Sequence, residues 1–169
     1  MLRSTCLLIA SGSLLLSCAR QSLSSVETGR PAPDILVAAL QAETTTLPAT
    51  DIDRLVAEVD AEVASIRPAA PSTPAQLLAA LNRHFFGADG FAALQDLSTP
   101  ENTSVAAVLE NRRGTCMGLA VIYLLLAERL GLSVHAVPTP VHLFIRVQLE
   151  GGPRNVELLE EGRELPDDI

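Results

Sequence analysis

Residues 114–131 read GTCMGLAVIYLLLAERLG and contain the longest apolar segment of the chain, Cys116 to Leu130. The segment is rich in alanine, leucine and methionine, which favour helix, and Gly131 follows as a stop signal. A helix that is apolar all round is normally buried all round. We therefore expect this segment to form the core helix of the domain.

The residues before this segment predict two further helices. One follows Asp51 as an amphipathic helix of about four turns, because apolar residues recur there at helical spacing. The other begins at Thr73-Pro74, a capping residue followed by proline at the first helical position. The apolar stripes are Ile52, Leu55, Val56, Val59, Val63 and Ile66 in the first helix, and Leu77, Leu78, Leu81 and Phe85 in the second.

Three short segments carry weaker helix signals. A helix is expected from Ile35 to Leu40, and Phe91 to Leu97 is expected to form a helical turn. A short helix that reaches Leu109 can be capped by Asn102 or Thr103.

Beyond Gly131 the pattern changes from helical to extended. A short strand is predicted around Val134 to Val137, and a longer one from His142 to Leu149, where β-branched and aromatic residues alternate with others. Residues 151–153 (GGP) predict a turn, after which Asn155 to Leu159 form the returning strand. Helices come first and a small antiparallel sheet follows, so the predicted fold class is α+β, with the core helix packed on the sheet.

The N-terminus has the pattern of a bacterial lipoprotein signal. An arginine near the start precedes an apolar run from Cys6 to Leu16, which is too short to span a bilayer, and residues 15–18 (LLSC) resemble a lipobox. Cleavage before Cys18 would leave a cysteine that carries an acyl chain such as palmitate and anchors the protein to a membrane. Because residue 19 is not aspartate, we expect an outer-membrane anchor facing the periplasm; the alternative is an ordinary signal peptide that happens to contain Cys18.

The positions of the three cysteines single out Cys116 as a candidate functional residue. The chain has three cysteines; Cys6 would leave with the signal and Cys18 would carry lipid, so Cys116 would be the only free thiol of the mature protein. A lone thiol in an oxidising compartment is exposed to oxidation, which invites a chemical explanation. The alternative is a small buried apolar side chain, a common role of free cysteine.

Charge makes nucleic acid an unexpected partner. The formal net charge is −8, and the twelve cationic residues are arginines scattered along the chain, with no lysine among them. No basic patch or stripe is visible, and such a patch is the usual footprint of nucleic-acid binding. The sequence does not predict an oligomeric state.

Cys116 is expected within the first turn of the core helix. Unpaired N–H groups and the helix dipole favour a thiolate there, which is the form that acts as a nucleophile. Arg112 and Arg113 would add positive potential if they pointed inward, although such pairs are more often solvated. A thiolate also needs an imidazole nearby, and the residue pattern leaves His142 and His135 open as candidates, with His84 expected at the surface. Either Glu157 or Asn155 could orient the imidazole across the hairpin.

The segment from Asn82 to Arg146 resembles the SirB-type branch of the transglutaminase-like superfamily. The residues that carry the resemblance are 81–86 (LNRHFF), 90–91 (GF), 100–104 (PENTS), 108–116 (VLENRRGTC), 127–132 (AERLGL) and 140–146 (PVHLFIR), followed by 155–157 (NVE). The resemblance implies a papain-like core in which Cys116 is the nucleophile, His142 the base and acid, and Glu157 the orienting residue. It places His142 ahead of His135.

Three departures from the pattern of the wider family are visible. Val141 stands where the branch usually has glycine, and Glu157 stands where classical transglutaminases have aspartate. The sequence stops at Ile169, where the family typically continues with more helix, so a C-terminally shortened core is one interpretation. Many members of the branch lack the cysteine, whereas this chain has Thr115-Cys116.

Two functions follow as alternatives. The first is a cysteine hydrolase or acyltransferase that acts on peptide or isopeptide amides of a peptide or protein substrate, without a cofactor. The second is a non-catalytic binding or scaffolding lipoprotein that keeps the fold. A metal site built from Cys116, His142 and Glu157 is a remote third option, because no paired-ligand spacing supports it.

The expected organisation is a signal peptide at 1–17, a tether at 18–33, an N-terminal helical segment at 34–67 and a transglutaminase-like core at 74–169.

Overall fold

In the computed structural model, the described residues are 38, 49–67, 72–94, 99–140 and 142–166. The predicted signal peptide, the tether and Cys18 lie outside them. So does the helix expected at Ile35 to Leu40, apart from Ala38, which is helical. Across these described ranges, no helix combines the length and the apolar character needed to cross a membrane.

From residue 49 onward, the described residues form four α-helices and one 3-10 turn before the main sheet. They are α1 (Ala49–Ile66), α2 (Pro74–Phe85), the 3-10 turn (Pro100–Thr103), α3 (Val105–Asn111) and α4 (Cys116–Arg129). Helix α4 is the predicted core helix, and it buries residues on several sides, among them Leu119, Ile122 and Leu126. The chain leaves α4 through Gly131, whose φ of +82° suits glycine.

Helices α1 and α2 bury the stripes predicted for them. Leu55 and Val59 of α1 are fully buried, as are Leu81 and Phe85 of α2. The Thr73 side chain accepts a hydrogen bond from the Gln76 amide, and the Gln76 side chain accepts one from the Thr73 amide. This capping box satisfies two donors at the start of α2, so the Thr73-Pro74 signal is confirmed.

The main sheet has four strands in the order β3-β4-β5-β6, and every pair is antiparallel. The strands are β3 (Ser133–Pro138), β4 (Leu143–Leu149), β5 (Gly152–Val156) and β6 (Glu164–Leu165). Helix α4 packs against β3 and β4. The predicted α+β class, with the core helix packed on a small antiparallel sheet, is therefore confirmed.

The helical turn predicted from Phe91 to Leu97 is wrong at Ala92 and Ala93. These two residues form a short strand, β1 (Ala92–Ala93), which pairs in parallel with β2 (Arg113–Gly114). The amides of Ala92 and Leu94 donate to the carbonyls of Arg112 and Gly114, each at 2.8 Å. Alanine pairs carry no strand signal of their own, so this pairing comes from tertiary structure rather than local propensity.

Three further element boundaries differ from the predictions. Ser104, and not Asn102 or Thr103, caps α3, because those two residues belong to the 3-10 turn. The turn between β4 and β5 consists of Glu150 and Gly151, since Leu149 pairs directly with Gly152. The returning strand therefore begins earlier than predicted and ends at Val156.

An aromatic cluster joins α2 to the core helix. The Phe85 ring stacks on Phe91 at 4.7 Å and meets Tyr123 edge-on at 5.0 Å between ring centroids. The Tyr123 hydroxyl donates a hydrogen bond to Asn82 Oδ1. Burial raises the pKa of Tyr123, so this phenol stays neutral in the folded protein.

Candidate active site

The 3-10 turn fixes the start of α4. Thr115, which is 1% exposed, caps the helix by accepting a hydrogen bond from the Gly118 amide at 3.4 Å. Its own amide donates to the Asn102 carbonyl at 2.8 Å, and its hydroxyl lies 3.2 Å from the Thr103 hydroxyl. The cap is thus bonded both to its own helix and to the neighbouring turn, which holds the first residue of α4 in place.

Close packing at two glycines adds to this restraint. A Cβ atom at Gly118 would lie 2.8 Å from Val108 Cγ2 and 2.9 Å from the Asn102 carbonyl oxygen. A Cβ atom at Gly114 would lie 2.7 Å from the same Val108 atom. The backbone on both sides of Cys116 therefore packs directly against the 3-10 turn and α3.

Cys116 is the first residue of α4, and its free thiol is half-buried. The amides of Gly118 and Leu119 donate to Thr115, while the Cys116 amide has no partner among the described residues. The N-terminal end of a helix carries partial positive charge, which favours an anion at the first residue. The position therefore suits a thiolate and offers one N–H group for a negatively charged oxygen.

The two arginines before Cys116 differ in their surroundings. Arg112 binds Glu62 through its guanidinium, which also lies 5.1 Å from the centre of the Phe91 ring. Its φ of 53° is left-handed and ends α3. Arg113 lies exposed in β2. Arg112 thus has a structural role away from the thiol.

His142 and Glu157 form a close pair at the end of the β4–β5 hairpin. Each carboxylate oxygen of Glu157 lies 2.9 Å from His142 Nε2. The Glu157 side chain is 7% exposed and that of His142 is 24% exposed. Because Nε2 is the atom that faces the carboxylate, it carries the proton, and Nδ1 is left to act as an acceptor in the neutral ring.

The strand register explains why these two residues meet. Since Ile145 pairs with Val156, the next position places Phe144 opposite Glu157. His142 lies two residues from Phe144 and therefore on the same face, as a diagonal neighbour of Glu157. Both residues lie just outside the strands rather than within them, which corrects the predicted positions: β4 begins at Leu143 and β5 ends at Val156.

Backbone contacts hold both members of the pair. The carbonyl of His142 accepts hydrogen bonds from the Thr139 amide at 2.7 Å and from the Thr139 hydroxyl at 2.9 Å. Oε1 of Glu157 also accepts a hydrogen bond from the Leu159 amide at 2.9 Å. The orientation of the imidazole is therefore set from both sides. Sequence reasoning missed Thr139 and Leu159, and no local pattern distinguishes them.

The structure does not bring all the predicted residues into contact. Across the described residues, no hydrogen bond joins the Cys116 sulfur to the His142 ring. His135 is exposed on the edge strand β3, and Asn155 is buried, where it accepts a bond from Arg146 and donates one to the Pro166 carbonyl. The orienting carboxylate at His142 is thus Glu157, while Asn155 has a separate network.

His84 lies in a second cluster, which sequence reasoning did not predict. Glu62 binds His84 Nε2 through Oε2 and the Arg112 guanidinium through Oε1. The Ser65 hydroxyl lies 3.5 Å from His84 Nδ1. In the described ranges, no group of three or more histidine, cysteine, aspartate or glutamate side chains could hold a metal ion.

Comparisons with known proteins place this arrangement in context. A family model described as the transglutaminase-like superfamily matches residues 49–168. Two UPF0162 proteins of Xylella fastidiosa are similar: one from strain 9a5c is 32% identical over 54% of this chain, and one from strain Temecula1 is 33% identical over 52%. The chain spans 39% and 32% of the length of these relatives. A solved structure titled "Crystal structure of a TGase" overlaps 71% of this chain and 35% of its own, with 11% identity and a TM-score of 0.49.

Proposed function

Because the chain belongs to the transglutaminase-like superfamily, we propose that it is a cysteine hydrolase or acyltransferase that acts on peptide or isopeptide amides. The observation that supports this most is the His142–Glu157 pair. The carboxylate occupies one ring nitrogen and leaves the other without a partner among the described residues. That arrangement is what a base needs in order to accept a proton from a thiol.

In the proposed reaction, the Cys116 thiolate attacks the carbonyl carbon of an amide. A C–S bond forms, and the carbonyl π electrons move to oxygen, where the Cys116 N–H stabilises the negative charge. The C–N bond then breaks as His142 gives its Nδ1 proton to the leaving amine, which yields a thioester. Water or a second amine, deprotonated by His142, attacks the thioester and releases the thiolate.

Glu157 has a positioning role in this scheme. Its carboxylate fixes the ring through Nε2 and stabilises the imidazolium that forms when Nδ1 takes a proton. The Cys116 sulfur and the His142 ring are not hydrogen-bonded to each other, and catalytic hydrogen bonds of this kind often tighten only when a substrate binds. In the proposed reaction, the substrate amide lies between Cys116 and His142.

Iodoacetamide labelling of the full chain tests the proposal. Cys116 should react at pH 6 faster than glutathione, because the helix N-terminus and His142 favour the thiolate. Peptide mapping separates Cys116 from Cys6 and Cys18, and Cys116→Ser provides the blank. A Cys116 that reacts no faster than glutathione, together with no cleavage of a peptide library, would leave the non-catalytic binding protein as the better description.

The finer assignments are part of the same proposal. The chain is proposed to belong to the SirB-type branch and to be a lipoprotein acylated at Cys18, held at the outer membrane and facing the periplasm. Support comes from the lipobox-like residues 15–18 and from the absence of aspartate at position 19. Growth with an alkyne analogue of palmitate should label the protein, Cys18→Ser should abolish the label, and the matched variant Cys6→Ser should keep it. Labelling that survives Cys18→Ser would refute the anchor.

A further inference from the structure

A cavity of about 380 Å³ lies between β1 and the loop that follows Glu157. Its walls include Phe86, Phe91, Ala92 and Ala93 on one side and Leu158 and Leu159 on the other. Each wall is bonded to an element of the candidate active site. On one side, β1 is hydrogen-bonded to β2, which ends two residues before Cys116. On the other side, the Leu159 amide donates a hydrogen bond to the Glu157 carboxylate. A cavity of this size falls within the range of ligand pockets, roughly 300–1,000 Å³.

The free edge of β1 gives this cavity hydrogen-bonding groups. The amides of Ala92 and Leu94 are used by β2, so the N–H and C=O of Ala93 point to the opposite side of the strand. Ala93 lines the cavity, and its main-chain groups have no hydrogen-bond partner within the described part of the chain. An unpaired strand edge binds an extended peptide by adding it as a further strand.

The side chains of the cavity favour the same kind of ligand. Among the described lining residues, Glu161 alone has a charged side chain, and the others are apolar or glycine. The cavity therefore offers apolar contacts together with main-chain donors and acceptors. An uncharged, extended peptide backbone with small side chains matches both.

We propose that this cavity is the subsite that holds the peptide portion of the acyl donor, paired with Ala93 as an added strand. This inference rests on the proposed function and specifies where its substrate binds. A peptide held there would run between β1 and the Leu158–Leu159 wall. Because the Leu159 amide holds Glu157, occupancy of the cavity would also brace the orienting carboxylate.

Peptidyl chloromethyl ketones test the subsite in the full chain, because the thiolate displaces chloride and forms a stable thioether that mass spectrometry counts. Acetyl-tetraalanyl chloromethyl ketone should modify Cys116 about tenfold faster than the acetyl-monoalanyl compound, the factor expected for one or two added hydrogen bonds. Ala92→Leu, which adds bulk to an exposed lining residue, should abolish this length advantage. Ala79→Leu, on the exposed face of α2, is the matched control and should keep the advantage.

Two further measurements use the unaltered protein, so neither depends on the folding of a variant, and the second does not depend on thiol chemistry. N-methylation of the tetraalanyl probe removes its amide donors and should reduce its advantage in the unaltered protein. Acetyl-tetraalanine amide should shift the Ala93 amide signal in ¹⁵N NMR spectra even if Cys116 is unreactive, so failure of the subsite is distinguishable from failure of the proposed chemistry. Equal rates for short and long probes, or an advantage that survives both Ala92→Leu and N-methylation, would overturn the subsite.

Discussion

Two histidine–glutamate pairs lie among the described residues, and their surroundings differ. In the first pair, Glu62 is shared between His84 and Arg112, and Ser65 faces the second ring nitrogen of His84. In the second pair, the described groups that bind the Glu157 carboxylate are the His142 ring and the Leu159 amide. The Nδ1 of His142 has no partner among the described residues.

We propose that this difference separates a structural pair, which fastens helices together, from a pair that is available for catalysis. Glu62 joins α1, α2 and the end of α3, so its charge is used to fasten helices together. Glu157 joins two ends of one hairpin that strand pairing already holds, so its bond adds little to the architecture and instead sets a ring orientation. A free ring nitrogen, rather than the presence of a carboxylate, is the mark of a residue available for proton transfer.

The largest expected effect comes from exchanging the two histidines for glutamine. His142→Gln should lower the rate of iodoacetamide labelling of Cys116 at pH 6 by about 10- to 100-fold, because the thiolate loses its imidazole partner. His84→Gln should leave that rate unchanged. Equal rates in both variants would show that His142 does not interact with the thiol.

Replacing each of the two glutamates by glutamine should affect different properties: the free energy of unfolding for Glu62, and the labelling rate of Cys116 for Glu157. Glu62→Gln should lower the free energy of unfolding by roughly 1–3 kcal/mol, because the guanidinium of Arg112 and the ring of His84 lose their shared carboxylate. It should not change Cys116 labelling. Glu157→Gln should slow labelling, since the ring loses its orientation. Urea unfolding followed by circular dichroism gives the stabilities, and a labelling defect in Glu62→Gln would erase the contrast.

Tyr123 extends the comparison to a buried titratable group without a charged partner. Burial raises the pKa of Tyr123, so above the ordinary pKa of about 10 the unfolded chain releases a proton that the folded chain keeps. This contribution to stability is fully present below pH 10 and is lost as the pH rises, by up to about 1.4 kcal/mol per pH unit. Tyr123 is the only tyrosine of the chain, so tyrosinate absorbance should appear together with unfolding, not before it. In Tyr123→Phe this part of the slope should vanish.

The smallest effects concern the polar neighbours of the two histidines. Ser65→Ala should change the free energy of unfolding by less than about 1 kcal/mol, because the hydrogen bond it removes, from the hydroxyl to the Glu62 carbonyl at 2.7 Å, is exposed, and the hydroxyl lies 3.5 Å from His84. Thr139→Val removes the hydroxyl bond to the His142 carbonyl and should slow Cys116 labelling by a factor of about two to five, within the range of one net hydrogen bond. Labelling of the Ser65→Ala variant at an altered rate would contradict the separation of the two clusters.

The sequence predicted the elements that local patterns determine. The apolar run from Cys116, the capping box at Thr73 and the helical spacing after Asp51 each have a local cause, and each gave the correct helix. Two alanines at 92–93 have no such signal, because their strand exists only through pairing with Arg113–Gly114. The returning strand was displaced because the turn uses Glu150 and Gly151, so Gly152, with a φ of +110°, already begins β5.

The candidate site also contains residues that local sequence patterns predict and residues that only the tertiary structure places. Cysteine usage and helix position pointed to Cys116 without any tertiary information. The contact between His142 and Glu157 depends on the strand register, which the residue pattern indicated only loosely, and the choice of His142 over His135 came from family resemblance. The roles of Thr139 and Leu159 depend on backbone geometry that no residue pattern encodes.

The hairpin that carries His142 and Glu157 has a consequence for how the molecule acquires its site. The two side chains are only 15 residues apart, so their contact closes a short loop and can form as soon as β4 and β5 pair. Cys116 arrives on a separate helix whose start is set by the 3-10 turn. The proposed base and the proposed nucleophile thus lie on separate elements, and replacing Cys116 should abolish the proposed chemistry while leaving the His142–Glu157 contact intact.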